Sequence, residues 1–283
     1  IVYLVAVASE GIRYTSPVLS FTPEQSRLQT GVAIYGTTDD ETAIQVDRLH
    51  WIIDSRPGVV VVGEIFSFSN TGDRTFIGRT VEGVDASVTV ALRVPTDAQE
   101  LTFDNGELGV RFQQVDDTVY DTTPVTPGEG TRQIIMRYFL PVDGSSLDFD
   151  REFLYSVNQM TILVAELPQL EVTIPGFALA SRETLQNQTY QLWQPEGTAP
   201  TTVAIQLAGL LQEGDADPRT VGSADPQPNA PTGAVVVPLL QPWMPWVVGV
   251  VAGVALVGVL LWSFQQQRTG KRAPRQELRA QRE

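Results

Sequence analysis

One histidine, no cysteine and a single lysine, Lys271, leave this 283-residue chain few of the side chains that shuttle protons, bind soft metals or form Schiff bases. His50 stands inside the apolar run Leu49 to Ile53, and no Gly-x-Ser-x-Gly elbow supplies a nucleophile for it, so a structural role is expected. Zinc and haem sites draw on several His or Cys ligands; no metal centre, cofactor or catalytic residue is expected here. Hard oxygen ligands are more plentiful. Acidic clusters occur at Asp39-Asp40-Glu41, at Asp116-Asp117 and between Asp143 and Asp150, where Asp143, Ser145, Asp148 and Asp150 are of the type that binds calcium. They lack the alternating donors and distant Glu of an EF-hand and read as solvated turns. A carboxylate pair for glycoside hydrolysis is a spatial feature that spacing does not reveal, and no aromatic-rich substrate signature accompanies these acids. The chain reads as a non-enzyme.

The elements that would position these residues read as strands. Short runs rich in Val, Ile, Thr, Phe and Tyr are separated by Gly, Pro, Asn and Asp clusters, and no long window shows a 3.6-residue apolar period until the C-terminal part. Val2 to Ala8 and Ile12 to Phe21 flank the turn Ser9-Glu10-Gly11, and Leu28 to Tyr35 reads as a further strand. Next come Leu49–Ile53, Val59–Phe68, Ser87–Val94, Leu101–Phe103, Val110–Gln114, Gln133–Leu140 and Met160–Ala165, then Leu170–Ile174, Tyr190–Trp193 and Val203–Leu207. Asn70-Thr71-Gly72-Asp73 and Asp104-Asn105-Gly106 are expected to reverse the chain between paired strands. Asp121 to Gly128, with two prolines, is expected to be an ordered loop.

Near the C-terminus, Trp246 to Phe264 is a 19-residue run without a charge. As a helix it spans about 28 Å, close to the hydrocarbon thickness of a bilayer. Trp243, Trp246, Trp262 and Phe264 mark its ends at headgroup level, while Gly249 and Gly253 form one Gly-x-x-x-Gly step for helix packing. Arg268, Lys271, Arg272, Arg275, Arg279 and Arg282 follow on one side only, which predicts a cytoplasmic tail. The expected architecture is an all-β ectodomain of tandem β-sandwich domains plus one C-terminal transmembrane α-helix. Its parts are residues 1–36, the closing part of a first sandwich whose N-terminal part precedes this chain; 42–166, a second sandwich; 167–211, strands that complete that sandwich or form a small membrane-proximal module; 212–242, a flexible linker poor in large apolar residues; 243–264, the membrane span; and 265–283, the basic tail.

Charge narrows the partners. The whole chain carries −14, and setting aside the six basic and two acidic residues from Gln265 onward leaves 13 basic against 31 acidic residues, a net −18. Nucleic acid is repelled by such a surface. Absent cysteine fits a bacterial cell envelope better than a disulfide-stapled eukaryotic secreted domain. The expected location is the bacterial cytoplasmic membrane, with the N-terminal domains outside it.

Tyr3, Val5 and Val7, followed by Glu10, Gly11 and Tyr14, resemble the closing strands of a carboxypeptidase-regulatory-like (transthyretin-like) sandwich, which in that family is a structural spacer. Over most of the ectodomain, the run Val62 to Phe76, the loop Asp121 to Gly128 and the strand end Tyr138-Phe139-Leu140-Pro141 resemble a family of membrane-anchored bacterial envelope proteins associated with genes for cytochrome c assembly and respiration. That resemblance implies a setting in filamentous phototrophic bacteria and carries no catalytic motif. The function it implies is that of an interaction protein: an accessory subunit or assembly factor of a membrane complex handling electron carriers. Its partners are then the lipid bilayer and other subunits of the complex. The alternative is a cell-surface protein that binds carbohydrate or another cell.

Overall fold

A computed structural model describes residues 2–21, 25, 27–185 and 188–219. The described residues are all β and of β-sandwich type, with no helix among them. Contacts divide the chain into two units, the first of which holds the described residues of 2–183 and 188–219. Of the second unit only Thr184 and Leu185 are described, as the end of a strand.

At the N-terminus, β1 (Val2–Tyr3) pairs with β4 (Leu19–Ser20), and β2 (Ala6–Ser9) with β3 (Ile12–Thr15). Glu10 and Gly11 between β2 and β3 both take positive φ, 52° and 77°, as a two-residue type I′ hairpin requires. The strand expected at Leu28 to Tyr35 is not formed. Its residues find no ladder partner among the described residues, Ile34 is 53% exposed, and the segment is held instead by the Tyr14 hydroxyl, which donates to the Tyr35 carbonyl at 3.1 Å.

The remaining strands are β5 (Thr37–Thr38), β6 (Ile44–Arg56), β7 (Val59–Asn70), β8 (Thr75–Phe76), β9 (Val90–Arg93), β10 (Gln99–Phe103), β11 (Phe112–Val115) and β12 (Thr118–Asp121), followed by β13 (Gly128–Pro141), β14 (Ser146–Glu152), β15 (Val157–Ala165), β16 (Glu171–Thr173), β17 (Phe177–Leu185), β18 (Gln188–Pro195) and β19 (Thr202–Ala208). A seven-stranded sheet in the order β10-β13-β7-β6-β15-β18-β17 forms one layer. Two three-stranded sheets, β11-β12-β9 and β14-β19-β16, form the other. The strands from 167–211 therefore enter the same sheets as those from 42–166.

Period-two alternation sets which residues face the core. On β6 these are Val46, Leu49, Trp51 and Ile53, with a bulge at Asp47 that keeps the later residues in phase. Val62, Phe66 and Phe68 on β7 and Ile134, Met136 and Tyr138 on β13 continue the layer, meeting Val90, Leu92, Val203 and Ile205 from the opposite sheets. Pro57-Gly58 closes the β6–β7 hairpin: proline supplies a fixed φ, and Gly58, at +75°, the conformation that other residues resist.

The two expected reversals at Asn70 and Asp104 are built differently. Asn70 ends β7 and its side-chain amide donates to the carbonyls of Arg74 (2.8 Å) and Val125 (3.0 Å), while Gly72 N donates to its Oδ1 at 3.0 Å. The chain then enters β8, which pairs in parallel with β5. Asp104-Asn105-Gly106 carries the chain from the seven-stranded sheet into β11 of the other layer. A turn signal marks where a strand stops; the partner is chosen by burial of the next apolar face.

One charged constellation crosses the core. Glu64, on β7 beside Trp51, is fully buried, and Arg151 of β14 reaches it from the other layer with two bonds of 2.8 Å, Nε to Oε1 and Nη2 to Oε2. The Tyr138 hydroxyl donates to Oε1 at 2.7 Å. Burial, then the Glu64 charge, pushes the Tyr138 hydroxyl well above its ordinary pKa. Burial acts to lower the Arg151 pKa, but the Glu64 carboxylate more than offsets it. The pair bridges the two layers.

Candidate functional site

His50 lies on the outer face of the seven-stranded sheet, in register with Thr161 on β15 and Ile65 on β7. Burial, and then the nearby Arg48 charge, lower its pKa, so the imidazole is neutral at pH 7. No side-chain hydrogen bond joins it to a serine or aspartate among the described residues.

The acidic clusters go to separate places. Asp40 accepts from Thr42 N at 3.0 Å, which holds its pKa down, and Glu41 pairs with Arg79 at 3.0 Å. Asp116, at φ 53°, makes the β11–β12 turn, and Asp117 pairs with Arg93 at 2.9 Å. Asp143 lies in the exposed connection between β13 and β14, whereas Asp148 and Asp150 are on β14 itself. Among the described residues no three His, Cys, Asp or Glu side chains come together in a way that holds a metal ion.

Trp243, Trp246, Trp262 and Phe264, the Gly249 and Gly253 step, and the basic series Arg268, Lys271, Arg272, Arg275, Arg279 and Arg282 lie outside the described residues. Among the described residues no helix is long and apolar enough to cross a membrane. Of the segment read as a linker, 212–219 is described and is docked. Arg219 donates to Asp54 (2.6 Å), to the Ser55 carbonyl (2.6 Å) and to Asp217 (2.7 Å), and Arg56 pairs with Asp54 at 2.7 Å. Burial works against the Arg219 charge, but its hydrogen bonds to Asp217 and the field of Asp54 raise its pKa.

What the fold leaves open lies between the two three-stranded sheets. Phe153 N donates to the Thr201 carbonyl at 2.7 Å, which continues the β14–β19 register. By antiparallel alternation Arg151, Phe149 and Leu147 bond to β19, while the backbone groups of Ser146, Asp148, Asp150 and Glu152 point away from it. Among the described residues no strand pairs with that side of β14. Facing it across the gap is β9, whose Ala91 N turns outward to the Tyr155 hydroxyl at 3.1 Å; just after the strand, Val94 N donates to the Asp117 carbonyl at 2.7 Å.

At one end the gap is closed by Arg93, which meets Glu152 at 3.3 Å as well as Asp117. At the other end the walls part around an open cleft of about 300 Å³. It is lined by Pro95, Ala98, Leu140, Leu147 and Phe149, with Thr96 and Gln99 among the polar residues beside them. Asp97 and Asp148 stand at its rim, and Asp150 follows on the same exposed face of β14; none of the three makes an ion pair among the described residues. A cleft of this size is at the small end for ligand sites and suits one or two apolar side chains.

Reading Asp143 to Asp150 as a turn missed β14. The signal was present: Leu147, Phe149 and Arg151 alternate with Ser146, Asp148, Asp150 and Glu152, the period of a half-buried strand.

No family model matches the chain, and no curated protein does. Among solved structures, an M1 zinc metallopeptidase from Deinococcus radiodurans is similar over 59% of this chain and 42% of its own, at 12% identity and a TM-score of 0.38. A mutant M1 zinc metallopeptidase from the same organism, bound to a Tyr-Ser-Ala substrate, is similar over 59% and 43% at 10% identity and a TM-score of 0.36. The chain spans less than half the length of these enzymes, and a likeness this loose carries none of their chemistry to it.

Proposed function

We propose that this protein is a non-catalytic interaction protein, held at the bacterial cytoplasmic membrane by residues 243–264 with its sandwich domains outside, and serving as an accessory subunit or assembly factor of a membrane complex that handles electron carriers. The observation that carries the interaction role is the open cleft beside the free edge of β14. An unpaired strand edge with a partly apolar hollow next to it is a surface that another polypeptide can complete. The Gly249/Gly253 face offers a second, weaker contact within the bilayer. The electron-carrier setting rests on the resemblance of Val62 to Phe76 and Tyr138 to Pro141 to the envelope family.

The test is purification of the full chain from its own membrane in mild detergent, followed by identification of the proteins that remain bound. Respiratory or cytochrome c assembly subunits are expected. Ala98→Trp, which fills the cleft, should remove most of them, and Leu at both Gly249 and Gly253 should weaken retention without abolishing it. A free monomer without companions, or companions indifferent to both changes, refutes the proposal.

A further inference from the structure

We infer that the free edge of β14 takes an extended peptide segment of a partner protein as an added strand, its inward side chains seated in the cleft and its outward ones basic. This deepens the interaction reading above and rests on it. Ser146, Asp148 and Asp150 direct their backbone N–H and C=O groups away from β19, where no strand among the described residues meets them. The strand is seven residues long, without proline or register shift, so its edge can be laddered along its length.

The other layer manages its corresponding edge differently. There β10 carries a bulge between Gln99 and Thr102, with Glu100 at φ 51°, which breaks the run of groups a new strand would need. The β14 edge lacks that device. Beneath it lies the 300 Å³ cleft with Leu140, Leu147 and Phe149 toward its inner side, the side to which alternate residues of an added strand would point.

Charge selects the occupant. On the outer face, Asp148 and Asp150 stand two residues apart, opposite the positions that the remaining side chains of the added strand would occupy at about 4.5–5.5 Å between Cβ atoms. Asp97 adds a third carboxylate at the rim. A second copy of this chain pairing through β14 would set these aspartates against each other, so self-association by this edge is disfavoured. An apolar–basic alternating segment satisfies the ladder, the cleft and the carboxylates together.

The test uses the full chain in detergent and dye-labelled nonapeptides read by fluorescence anisotropy. The probe alternates Arg and Val. A second peptide alternates Glu and Val, and a third is the first with its central residue replaced by Pro. Wild type should bind the Arg–Val probe in the micromolar range, and the Pro and Glu–Val peptides at least 10-fold more weakly. Asp148→Pro removes an outward N–H while leaving the β19 ladder intact, and should cost 10-fold or more with an unchanged melting temperature. Asp148→Lys with Asp150→Lys should reverse the preference between the Arg and Glu peptides. No binding of the Arg–Val probe, or equal binding of the Pro peptide, overturns strand addition, the latter reducing the site to a general acidic surface. Loss of companion proteins on Ala98→Trp with no peptide binding would leave the interaction role standing and remove this inference alone; peptide binding without companions would do the reverse.

Discussion

Removing one member of the Glu64–Arg151 pair should be among the most destabilising single changes in this fold. Both side chains are almost fully buried, at 0% and 2% exposure, and two bonds of 2.8 Å join them. Arg151→Met strands the Glu64 carboxylate with Tyr138 alone, and Glu64→Met strands the guanidinium; leaving one charge of a buried pair without its partner costs about 3–5 kcal/mol. At about 2–4 °C per kcal/mol for a domain of this size, each single variant should melt roughly 6–20 °C below wild type. The double variant leaves no orphaned charge and fills the same space with apolar atoms, so it should recover most of the loss. Thermal unfolding of the full chain, followed by the circular dichroism of the β structure, measures all three. Single variants within about 2 °C of wild type, or a double variant as unstable as the sum of the singles, would show that the bridge does not couple the layers.

Other outcomes follow from the same geometry. The Tyr138 pKa is raised, so the folded state holds its proton more tightly than the unfolded chain; that contribution is complete below about pH 10 and is lost as pH rises through the folded value, and Tyr138→Phe should flatten this alkaline decline in an unfolding titration. For His50 the shift is downward: below about pH 6.5 the unfolded chain takes up a proton that the folded one refuses, so stability should fall from there to the folded pKa, and His50→Gln should remove that acid-side slope. Protease added to intact spheroplasts should digest the sandwich and spare the tail that carries Arg268 and Lys271; protection of the sandwich would reverse the orientation.

Much of the strand content was legible because a half-buried strand writes its period into the chain. Leu49 to Ile53, Val59 to Phe68 and Gln133 to Leu140 all fall inside observed strands. Errors came where a local signal was asked a non-local question. Leu28 to Tyr35 has strand composition without a ladder partner, and Asn70-Thr71-Gly72-Asp73 stops a strand without returning it to its neighbour. The candidate site was hidden for a related reason. Asp148 and Asp150 look like a solvated turn when counted as charges, and like an exposed strand face only when Leu147 and Phe149 are read between them.

By itself, the amino-acid sequence determined that the described part is β, because period-two alternation and turn residues act within a few residues of one another. It also determined an acidic surface and a chain without cysteine. Only the tertiary structure decided that Arg151 lies against Glu64 across 87 residues, that 167–211 joins the sheets of 42–166, and that β14 keeps one side unpaired among the described residues, beside a cleft. Those outcomes depend on which apolar faces bury each other and which edges are left over, and such pairings have no signature in local spacing.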